Sequence, residues 1–515
     1  MAAMNHSVVV MTTTLIDTTE APATDVPVTD VITDSTQPPE PPASDNATYP
    51  RRWLGLFAIL AASLMNLLDS TVGTVAAPSI RADLGGSLST LQWIAAGYTL
   101  ALAIGLLTGG RLGDMFGRRR MLTLAVAGFV AASVACAFAT SPETLITARV
   151  VQGAFGAIML PQCFGLMRDM FGVEVGKAFA VLGPVIGLSI IAGPIVAGLL
   201  IDADLAGTGW RSIFLMNLPL GAFSLYVGHK ILPAGSPTAD AKRLDLRGAV
   251  IAAVGMFLLV YPLVQGRELG WPVWTIVMLA ASVPVLAGFG WQQYGRTRAG
   301  RTPLVELSVF AKRSYTSGVL FVIVFFGAVV GFSLALGLFL QLGLHYSPLD
   351  ASLAMAAWPV GAFIGSVFGS TMMNKLGRHI LHIGLTVMAI GLVYLYTVFD
   401  RVGSGLGAWD LALPLVAYGA GMGMIFVPLF DIIVGRLEDH EVGSASGLLE
   451  SFQQLGASLG IAVLGTIFFG VVGSQIDVDS YLTAARHVTL LTVGLTVTAF
   501  AMAFLLPKRA REHGA

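Results

Sequence analysis

The chain has 515 residues, of which 55% are hydrophobic and 11% are charged, and its formal net charge at pH 7 is −1. The mean hydropathy of +0.78 and the recurring apolar runs exclude an ordinary soluble domain. The near-zero net charge argues against a nucleic-acid partner, and the two cysteines, Cys136 and Cys163, are too few to suggest a disulfide framework or a zinc site.

The first 52 residues differ in composition from the rest of the chain. They are rich in Thr, Pro, Asp and Ala, and no Lys or Arg precedes Arg51. A signal peptide would need a basic start followed by an apolar core, which this segment lacks. We therefore interpret residues 1–52 as a disordered acidic tail, and we assign residues 508–515 to a second cytoplasmic tail.

Between these tails, apolar runs of about 20 residues alternate with short gaps rich in Pro, Gly and charge. Because the runs are continuous, they predict helices, and we expect an all-α integral membrane protein with fourteen transmembrane helices. Of the 29 Lys and Arg residues, twenty-two fall in one set of connections and five in the opposite set. By the positive-inside rule, we expect a multi-pass protein of the cell membrane with both termini in the cytoplasm.

Asp69 is a carboxylate within the first apolar run, in the segment Leu-Leu-Asp-Ser-Thr-Val at 67–72. Burial in an apolar helix disfavours the charged form of a carboxylate, which brings proton exchange within reach near neutral pH. At a rise of about 1.5 Å per residue, Asp69 lies about 24 Å above the cytoplasmic end of its helix, in the outer half of the membrane.

Arg149 lies within the fourth apolar run, in the segment 145–156. An arginine in a membrane helix costs on the order of 2.5–3.5 kcal/mol on insertion scales, so it should face the bundle interior with a partner. The alternative is an arginine that extends to the outer membrane surface. Arg149 lies about 9 Å from the outer face, at a height similar to that of Asp69. We expect the two side chains to interact, directly or through water, and protonation of Asp69 to weaken the contact.

A charged, glycine-rich segment lies between the second and third runs. Residues 110–122 read Gly-Arg-Leu-Gly-Asp-Met-Phe-Gly-Arg-Arg-Arg-Met-Leu, which cannot lie in hydrocarbon and so predicts a loop at the membrane surface. A simple positive-inside anchor would explain the three arginines but not an aspartate framed by glycines. The residues that we single out are Gly110, Gly113, Asp114, Gly117, Arg118 and Arg119.

A degenerate copy of this loop lies at 374–379, again after a glycine-rich run, but it lacks the aspartate. The two copies indicate a duplicated plan of six runs, two extra runs and six more, as in transporters built from repeats. We predict an N-terminal six-helix bundle at 53–232, two inserted helices with flanking loops at 240–300, and a C-terminal six-helix bundle at 310–507.

The fifth run contains the segment 187–198, in which we single out Gly187, Gly193, Pro194 and Gly198. Pro194 removes a backbone donor and bends a helix, while glycines allow close packing or bending. Ordinary packing of membrane helices is the alternative interpretation of these glycines.

Together these segments resemble the major facilitator superfamily, and within it the drug–proton antiporters with fourteen spans. The resemblance extends over nearly everything from residue 53 to residue 506, with Ala197 in place of one glycine of the fifth-span pattern. It implies that Asp114 and the arginines of the 110–122 segment control inward opening, and that the 187–198 segment marks an antiporter. The segment 210–219, which contains Asn217, resembles the entry to the sixth span.

The resemblance implies a proton-driven antiporter that exports lipophilic, cationic or antibiotic compounds as a monomer without a cofactor. Candidate residues of the substrate pathway are Gln152, Trp93, Tyr98, Asp431 and Glu450. Packing or lipid contact is the alternative for the aromatic residues, and the headgroup zone is the alternative for the two acids. Proton-coupled uptake of a nutrient is a second transport hypothesis, disfavoured by the fifth-span motif and the inserted helices.

No segment points to an enzyme. Residues 172–177 contain glycines and a lysine but lack the spacing and the hydroxyl residue of a phosphate-binding loop, which disfavours ATP as the energy source. No metal-ligand cluster or catalytic triad stands out in the sequence, so we expect no metal site. A membrane-bound enzyme or sensor would need a soluble domain, and the longest polar region is the N-terminal tail.

Overall fold

A computed structural model describes residue 49 and residues 51–233, 244–435, 437, 439–473 and 477–507. Residues 1–48 of the predicted acidic tail and the predicted tail at 508–515 lie outside the described residues. Within the described ranges the chain forms helices and no strand. The backbone polar groups of a helix bond within that helix, which is what a lipid environment demands of an apolar chain.

Glycine, proline and capping residues set where the helices of the first half begin and end. Gly117, at φ +90°, separates the second helix from the third. Ser141 caps the fourth helix by accepting from the Thr144 N–H, and Pro142 takes a position where a helix needs no N–H. The helices described in this half are α1 (Arg52–Leu84), α2 (Leu88–Phe116), α3 (Arg118–Ala137), α4 (Pro142–Phe171), α5 (Val175–Asp202), α6 (Ser212–Leu215) and α7 (Asn217–Ile231).

An inserted hairpin and a second set of helices follow. The hairpin consists of α8 (Leu246–Gln265) and α9 (Val273–Arg298). The later helices of the described chain are α10 (Ser308–Ala311), α11 (Arg313–Leu338), α12 (Pro348–Met355), α13 (Ala357–Leu376), α14 (His379–Val402), α15 (Ala408–Val434), α16 (Asp439–Val472) and α17 (Val478–Ala503). A π-helical turn, Phe339–Gly343, extends α11.

Twelve helical stretches of the described residues are long and apolar enough to cross a membrane. They comprise α1 to α4, the two inserted helices, and α11 to α17 with α12 and α13 counted as one stretch. α5 and the α6–α7 pair lie where the sequence places the fifth and sixth spans. The predicted all-α membrane architecture is confirmed, and the count of fourteen spans stays a prediction.

The same helix pairing recurs in the two halves. α2 packs along α4 in the first half as α13 packs along α15 in the second. A Cβ atom on Gly109 would come within 2.3 Å of the Ala157 oxygen, and one on Gly365 within 2.0 Å of the Ala420 oxygen. Glycine is therefore required at both positions for the helices to approach so closely. The repetition supports a duplicated plan, and the proposed domain boundaries stay predictions.

The two halves contact each other along α2 and α16 and along α5 and α12. The Ser451 hydroxyl of α16 donates to the Ala103 oxygen of α2 at 2.6 Å. A Cβ atom on Gly198 of α5 would come within 2.7 Å of the Leu349 Cα of α12. Each of these contacts joins a helix of the first half to a helix of the second.

The inserted hairpin packs across the line where α2 meets α16. Gln265 of α8 accepts from the Ser89 hydroxyl and from Trp93 Nε1 of α2, each at 3.2 Å. The Thr466 hydroxyl of α16 donates to the Leu263 oxygen of α8 at 2.6 Å. α8 is therefore bonded to both halves of the molecule.

Candidate functional site

Asp69 and Arg149 meet in the interior of the first half. Asp69 lies near the middle of α1 and Arg149 near the start of α4, and each residue is 0% exposed. The guanidinium donates from Nη1 to Asp69 Oδ2, and from Nη2 to the Asp69 main-chain oxygen at 3.4 Å. A further bond runs from Arg149 Nε to the Ile94 oxygen of α2 at 3.2 Å. The arginine thus joins three helices at one point.

The other carboxylate oxygen of Asp69 is bound by two amides. Gln152 Nε2 donates to Asp69 Oδ1 at 2.9 Å, and Asn217 Nδ2 donates to the same atom at 3.2 Å. Both amides also donate to the Ser133 hydroxyl, at 2.8 Å and 3.1 Å respectively. Arg149 Nη1 donates to Gln152 Oε1 at 2.8 Å. Donors therefore surround the carboxylate, which suits its ionised form.

Neighbouring side chains make room for this buried charge. The ring of Tyr98, on α2, lies against the guanidinium, with 4.3 Å between Arg149 Cζ and the ring centroid. A Cβ atom on Gly73 would come within 3.2 Å of Arg149 Nη2, so the glycine leaves space for the arginine. Removing one partner of a buried pair costs about 3–5 kcal/mol, because the other charge is left unpaired. The pair is therefore a structural requirement as well as a candidate site.

A cavity of about 500 Å³ lies between the two halves, within the size range of small-molecule sites. Its wall combines residues of α1, α2, α4 and α5 with residues of α11 to α13, α15 and α16. Asn66 and Ser70, on either side of Asp69 in α1, belong to this wall. Its larger apolar members include Phe164, Phe326, Trp358, Met422, Phe426 and Phe430.

Glu450 is the predicted pathway residue that lies in this wall. It is half-buried on α16 and accepts from Gln454 Nε2 at 3.1 Å. Among the residues that the structure describes, no cation forms an ion pair with it. The part of the cavity wall that the structure describes is therefore mainly apolar with one acidic group.

The other predicted pathway residues lie elsewhere. Gln152 and Tyr98 belong to the network around the buried ion pair and are not among the described residues of the wall. Trp93 packs against α8 of the inserted hairpin, 5.8 Å from the Tyr261 ring between centroids. Asp431 is exposed near the end of α15. A role for these four residues in substrate passage stays a prediction.

The 110–122 segment forms the junction between α2 and α3 and is pinned to the end of α4. Arg118 Nη1 lies 2.9 Å from Asp169 Oδ1, and its Nη2 lies 3.6 Å from Asp114 Oδ1. A Cβ atom on Gly113 would come within 1.8 Å of Gln162 Oε1, so a larger residue here would force the Gln162 side chain to move. An ion pair and close packing therefore join the junction to the end of α4.

Arg119 and Arg378 occupy corresponding places in the two halves. Arg119 donates to carbonyl oxygens at the end of α7, including that of Leu232 at 3.1 Å. Arg378 donates to carbonyl oxygens at the end of α17, including that of Phe504 at 2.9 Å. Each arginine donates to carbonyl oxygens that the helix end leaves unpaired. Its positive charge also stabilises the negative end of that helix's dipole.

The four residues singled out in the fifth run all lie in α5. Pro194 belongs to the cavity wall, Gly198 contacts the start of α12, and Gly187 and Gly193 lie one or more turns earlier. Because α4 ends beside the 110–122 junction, α5 starts at that end of the molecule and Gly198 lies near the opposite end. The contact with α12 therefore joins the two halves at the end away from the junction.

Asp83 marks that opposite end of α1, beyond the apolar stretch Arg52–Ser70. It accepts from Arg211 Nη1 at 2.7 Å and from Trp210 Nε1 at 3.0 Å. These two hydrogen bonds hold the pKa of Asp83 below its usual range, against a smaller opposing effect of burial. The carboxylate is half-exposed, so it differs from Asp69 in burial and in its access to water.

A family model described as Major Facilitator Superfamily matches residues 59–461. The chain belongs to the Major Facilitator Superfamily. A probable actinorhodin transporter of Streptomyces coelicolor is 48% identical over 440 residues, which cover 85% of this chain and 76% of that protein. A tetracenomycin C resistance and export protein of Streptomyces glaucescens is 33% identical, covering 82% of this chain and 77% of that protein. A puromycin resistance protein of Streptomyces alboniger is 33% identical, with coverage of 89% and 90%.

Solved structures of two other transporters have a similar fold. A peptide transporter crystallised with sulfate aligns with a TM-score of 0.64 at 16% identity, over 88% of this chain and 95% of that chain. A mutant form of the nucleoside transporter NupG aligns with a TM-score of 0.61 at 13% identity, over 88% of this chain and 99% of that chain. At these identities the likeness concerns the fold alone. The sequence-based assignment to the superfamily is confirmed.

Sequence reasoning did not assign Ser133 and Asn217 to the site. Both lie in apolar runs, and both are fully buried. A serine in a membrane helix gives little signal, because small hydroxyl residues are common where such helices pack. Asn217 lies in the segment 210–219, which resembles the entry to the sixth span of the superfamily. That resemblance assigned no role to the Asn217 amide.

Proposed function

We propose that this superfamily member is a proton-driven antiporter that exports drug-like or antibiotic compounds across the cytoplasmic membrane, as a monomer with both termini in the cytoplasm. The observation that carries the proposal is the Asp69 carboxylate, buried against Arg149 beside a cavity shared by both halves. The relatives named for actinorhodin, tetracenomycin C and puromycin support a substrate of the antibiotic kind. Proton entry from outside would drive the export.

The proton acts through the packing of α1. An ionised Asp69 attracts the Arg149 guanidinium strongly in this apolar interior, and a neutral carboxyl attracts it far less. Protonation therefore loosens the contact between α1 and α4. Because Asn66 and Ser70 on the same helix face the cavity, a shift of α1 alters the wall that the substrate touches. This is the physical link between the proton and the substrate.

The two halves rock around the cavity to change the side from which it is reached. Gln341 Nε2 donates to the Val75 oxygen at 3.1 Å, and Gly198 packs on Leu349, so both contacts join the halves at the end away from the 110–122 junction. The positive-inside rule places that junction in the cytoplasm, so the state described here is closed toward the outside. Release of a compound requires these contacts to separate.

The wall of the cavity suits a lipophilic substrate. Phenylalanine, tryptophan and methionine side chains offer a large apolar surface that can adapt to different shapes. Glu450 adds a single acidic group on α16 that would pair with a basic group of the substrate. Lipophilic and cationic compounds are therefore the class that we expect.

A growth-inhibition panel of antibiotics and lipophilic cations tests the function. We expect expression to raise the inhibitory concentration of at least one compound, Asp69→Asn to abolish this protection, and Asp83→Asn to retain it. Protection by Asp69→Asn equal to that of the unaltered protein would exclude proton coupling at this residue.

Accumulation of a protected compound, measured with and without a protonophore, gives the direction of transport. For an exporter, a protonophore raises accumulation, because the driving force for efflux is lost. For proton-coupled uptake it would lower accumulation, and the export proposal would be wrong.

A further inference from the structure

The network around Asp69 contains an amide oxygen without a partner. Asn217 lies at the start of α7, is fully buried, and donates from Nδ2 to Asp69 Oδ1 and to Ser133 Oγ. Its own Oδ1 atom is buried and has no hydrogen-bond partner among the described residues. A buried oxygen without a hydrogen-bond partner destabilises the folded protein. The unpartnered Asn217 Oδ1 beside Asp69 therefore needs a physical explanation.

A protonated Asp69 needs an acceptor for its new O–H group. The Oδ2 atom lies against the Arg149 guanidinium, which has only donors, so the proton belongs on Oδ1. The Oδ1 atom faces amide nitrogens of Gln152 and Asn217, which are donors too. In this arrangement neither amide offers an oxygen to a protonated Oδ1.

Of the two amides, Asn217 is the one that can reverse at low cost. The oxygen of Gln152 accepts from Arg149 Nη1 at 2.8 Å, so turning that amide would break a bond to a charged group. Rotation of the Asn217 amide brings its unpartnered oxygen to the place of Nδ2, beside Asp69 and Ser133. The reversed oxygen accepts from the carboxyl O–H and from the Ser133 hydroxyl. The amide nitrogen then becomes the unpartnered atom in place of the oxygen.

We propose that Asn217 is a positioning residue that reverses its side-chain amide when Asp69 takes up a proton. The proton adds to Asp69 Oδ1, the new O–H donates to Asn217 Oδ1, and no covalent bond breaks. The inference rests on the proposed proton coupling and extends it to α7. The charged and titratable groups that surround Asp69 in the described chain are Arg149 on α4, Tyr98 on α2 and Cys136 on α3.

Infrared difference spectroscopy of the full-length protein in lipid vesicles tests the reversal. The protein is prepared with asparagine carrying ¹³C at the side-chain carbonyl, and spectra are compared over a series of pH values. We expect a carboxylic acid band that is lost in Asp69→Asn. We also expect a label-sensitive carbonyl band to move to lower wavenumber on acidification, because the Asn217 oxygen gains a bond. This movement is lost in Asp69→Asn, Asn217→Thr and Asn217→Val.

Asn217→Thr and Asn217→Val form a matched pair, since the two side chains have similar shapes and the hydroxyl of threonine can donate or accept. The Asp69 acid band should keep its position in Asn217→Thr and shift in Asn217→Val, where the O–H has lost its acceptor. A merely structural role would leave the band at one position in both variants, and that result would overturn the proposal.

The two possible failures are distinguishable. Absence of any acid band that depends on Asp69 would overturn the proposed proton coupling and the amide reversal together. An acid band that depends on Asp69, without a label-sensitive band that depends on Asn217, would overturn the amide reversal alone. Should Asn217→Val fail to fold, the labelled protein and its Asn217→Thr and Asp69→Asn variants decide between these outcomes.

Discussion

Arg149 binds Asp69 at two chemically different atoms, donating from Nη1 to the carboxylate and from Nη2 to the main-chain oxygen at 3.4 Å. Protonation changes the charge of the carboxylate but not the main-chain oxygen. The arginine therefore keeps one bond to α1 when the other weakens. α1 and α4 can loosen without separating, which suits a step that must reverse in every transport cycle.

Arg149→Gln is expected to lower the free energy of unfolding by about 3–5 kcal/mol, because it leaves the Asp69 carboxylate buried without its partner. The double variant Asp69→Asn/Arg149→Gln should recover part of this loss, because no buried charge is left unpaired. Thermal unfolding of the purified protein in detergent measures both. Losses that simply add in the double variant would show that the two residues do not stabilise each other.

Gly109→Ala is expected to lower the free energy of unfolding by about 1–3 kcal/mol, because the new Cβ would lie 2.3 Å from the Ala157 oxygen and force α2 away from α4. Gly110→Ala is the matched control, since the nearest atom to its Cβ would be Pro161 Cβ at 3.8 Å. Unfolding temperatures of the two variants provide the measurement. Equal effects would contradict the helix spacing described here.

Arg118→Ala is expected to slow transport severalfold while changing stability little. The ion pair with Asp169 is partly exposed, and such pairs contribute about 0–1 kcal/mol, so its main effect is to hold the α2–α3 junction to α4. Exposed Arg120 of the same segment provides the control as Arg120→Ala. Transport rates and unfolding temperatures are compared for the two variants. A loss of rate in Arg120→Ala as large as in Arg118→Ala would indicate a general need for positive charge instead.

Glu450→Gln is expected to reduce protection against cationic compounds and to leave protection against neutral ones unchanged, because Glu450 is the acidic member of the described cavity wall. Asp431→Asn serves as the control, since Asp431 is exposed near the end of its helix. Inhibitory concentrations for matched cationic and neutral compounds give the comparison. An equal loss for both classes would exclude a role of Glu450 in recognising charge.

The sequence allowed the charged members of the site to be predicted because a charge in an apolar run is costly and therefore conspicuous. Asp69 and Arg149 stand out for this reason, and the helical rise placed them at a similar height. Their direct contact is visible in the structure. The gating role of Asp114 and Arg118 was inferred from the resemblance to the major facilitator superfamily, and it stays a prediction.

The sequence could not tell which side of a helix a residue occupies. Membrane helices are apolar on all faces, so the pattern of polar residues that orients a soluble helix is weak here. Both Glu450 and Asp431 were therefore predicted to lie in the substrate pathway. In the structure, Glu450 lies in the cavity wall and Asp431 is exposed. Trp93 was assigned to the pathway for the same reason, and its bond to Gln265 of the inserted hairpin could not be foreseen.

Asp83 is expected to take no part in the pH dependence of transport. Hydrogen bonds from Arg211 and Trp210 lower the folded-state pKa of Asp83, so the stability that they contribute is complete above the ordinary carboxyl range and is lost as the pH falls through the lowered value. Asp83 therefore stays ionised between about pH 5 and about pH 8. Asp83→Asn should leave the pH profile of transport unchanged in that range.

Proton release from everted membrane vesicles, followed with a pH-sensitive dye, tests the coupling at Asp69 most directly. The compound added is the one against which expression gives the strongest protection. We expect its addition to release protons from acidified vesicles that contain the unaltered protein or Asp83→Asn, and to release none from vesicles that contain Asp69→Asn. Equal release by Asp69→Asn would contradict the assignment of the transported proton to Asp69.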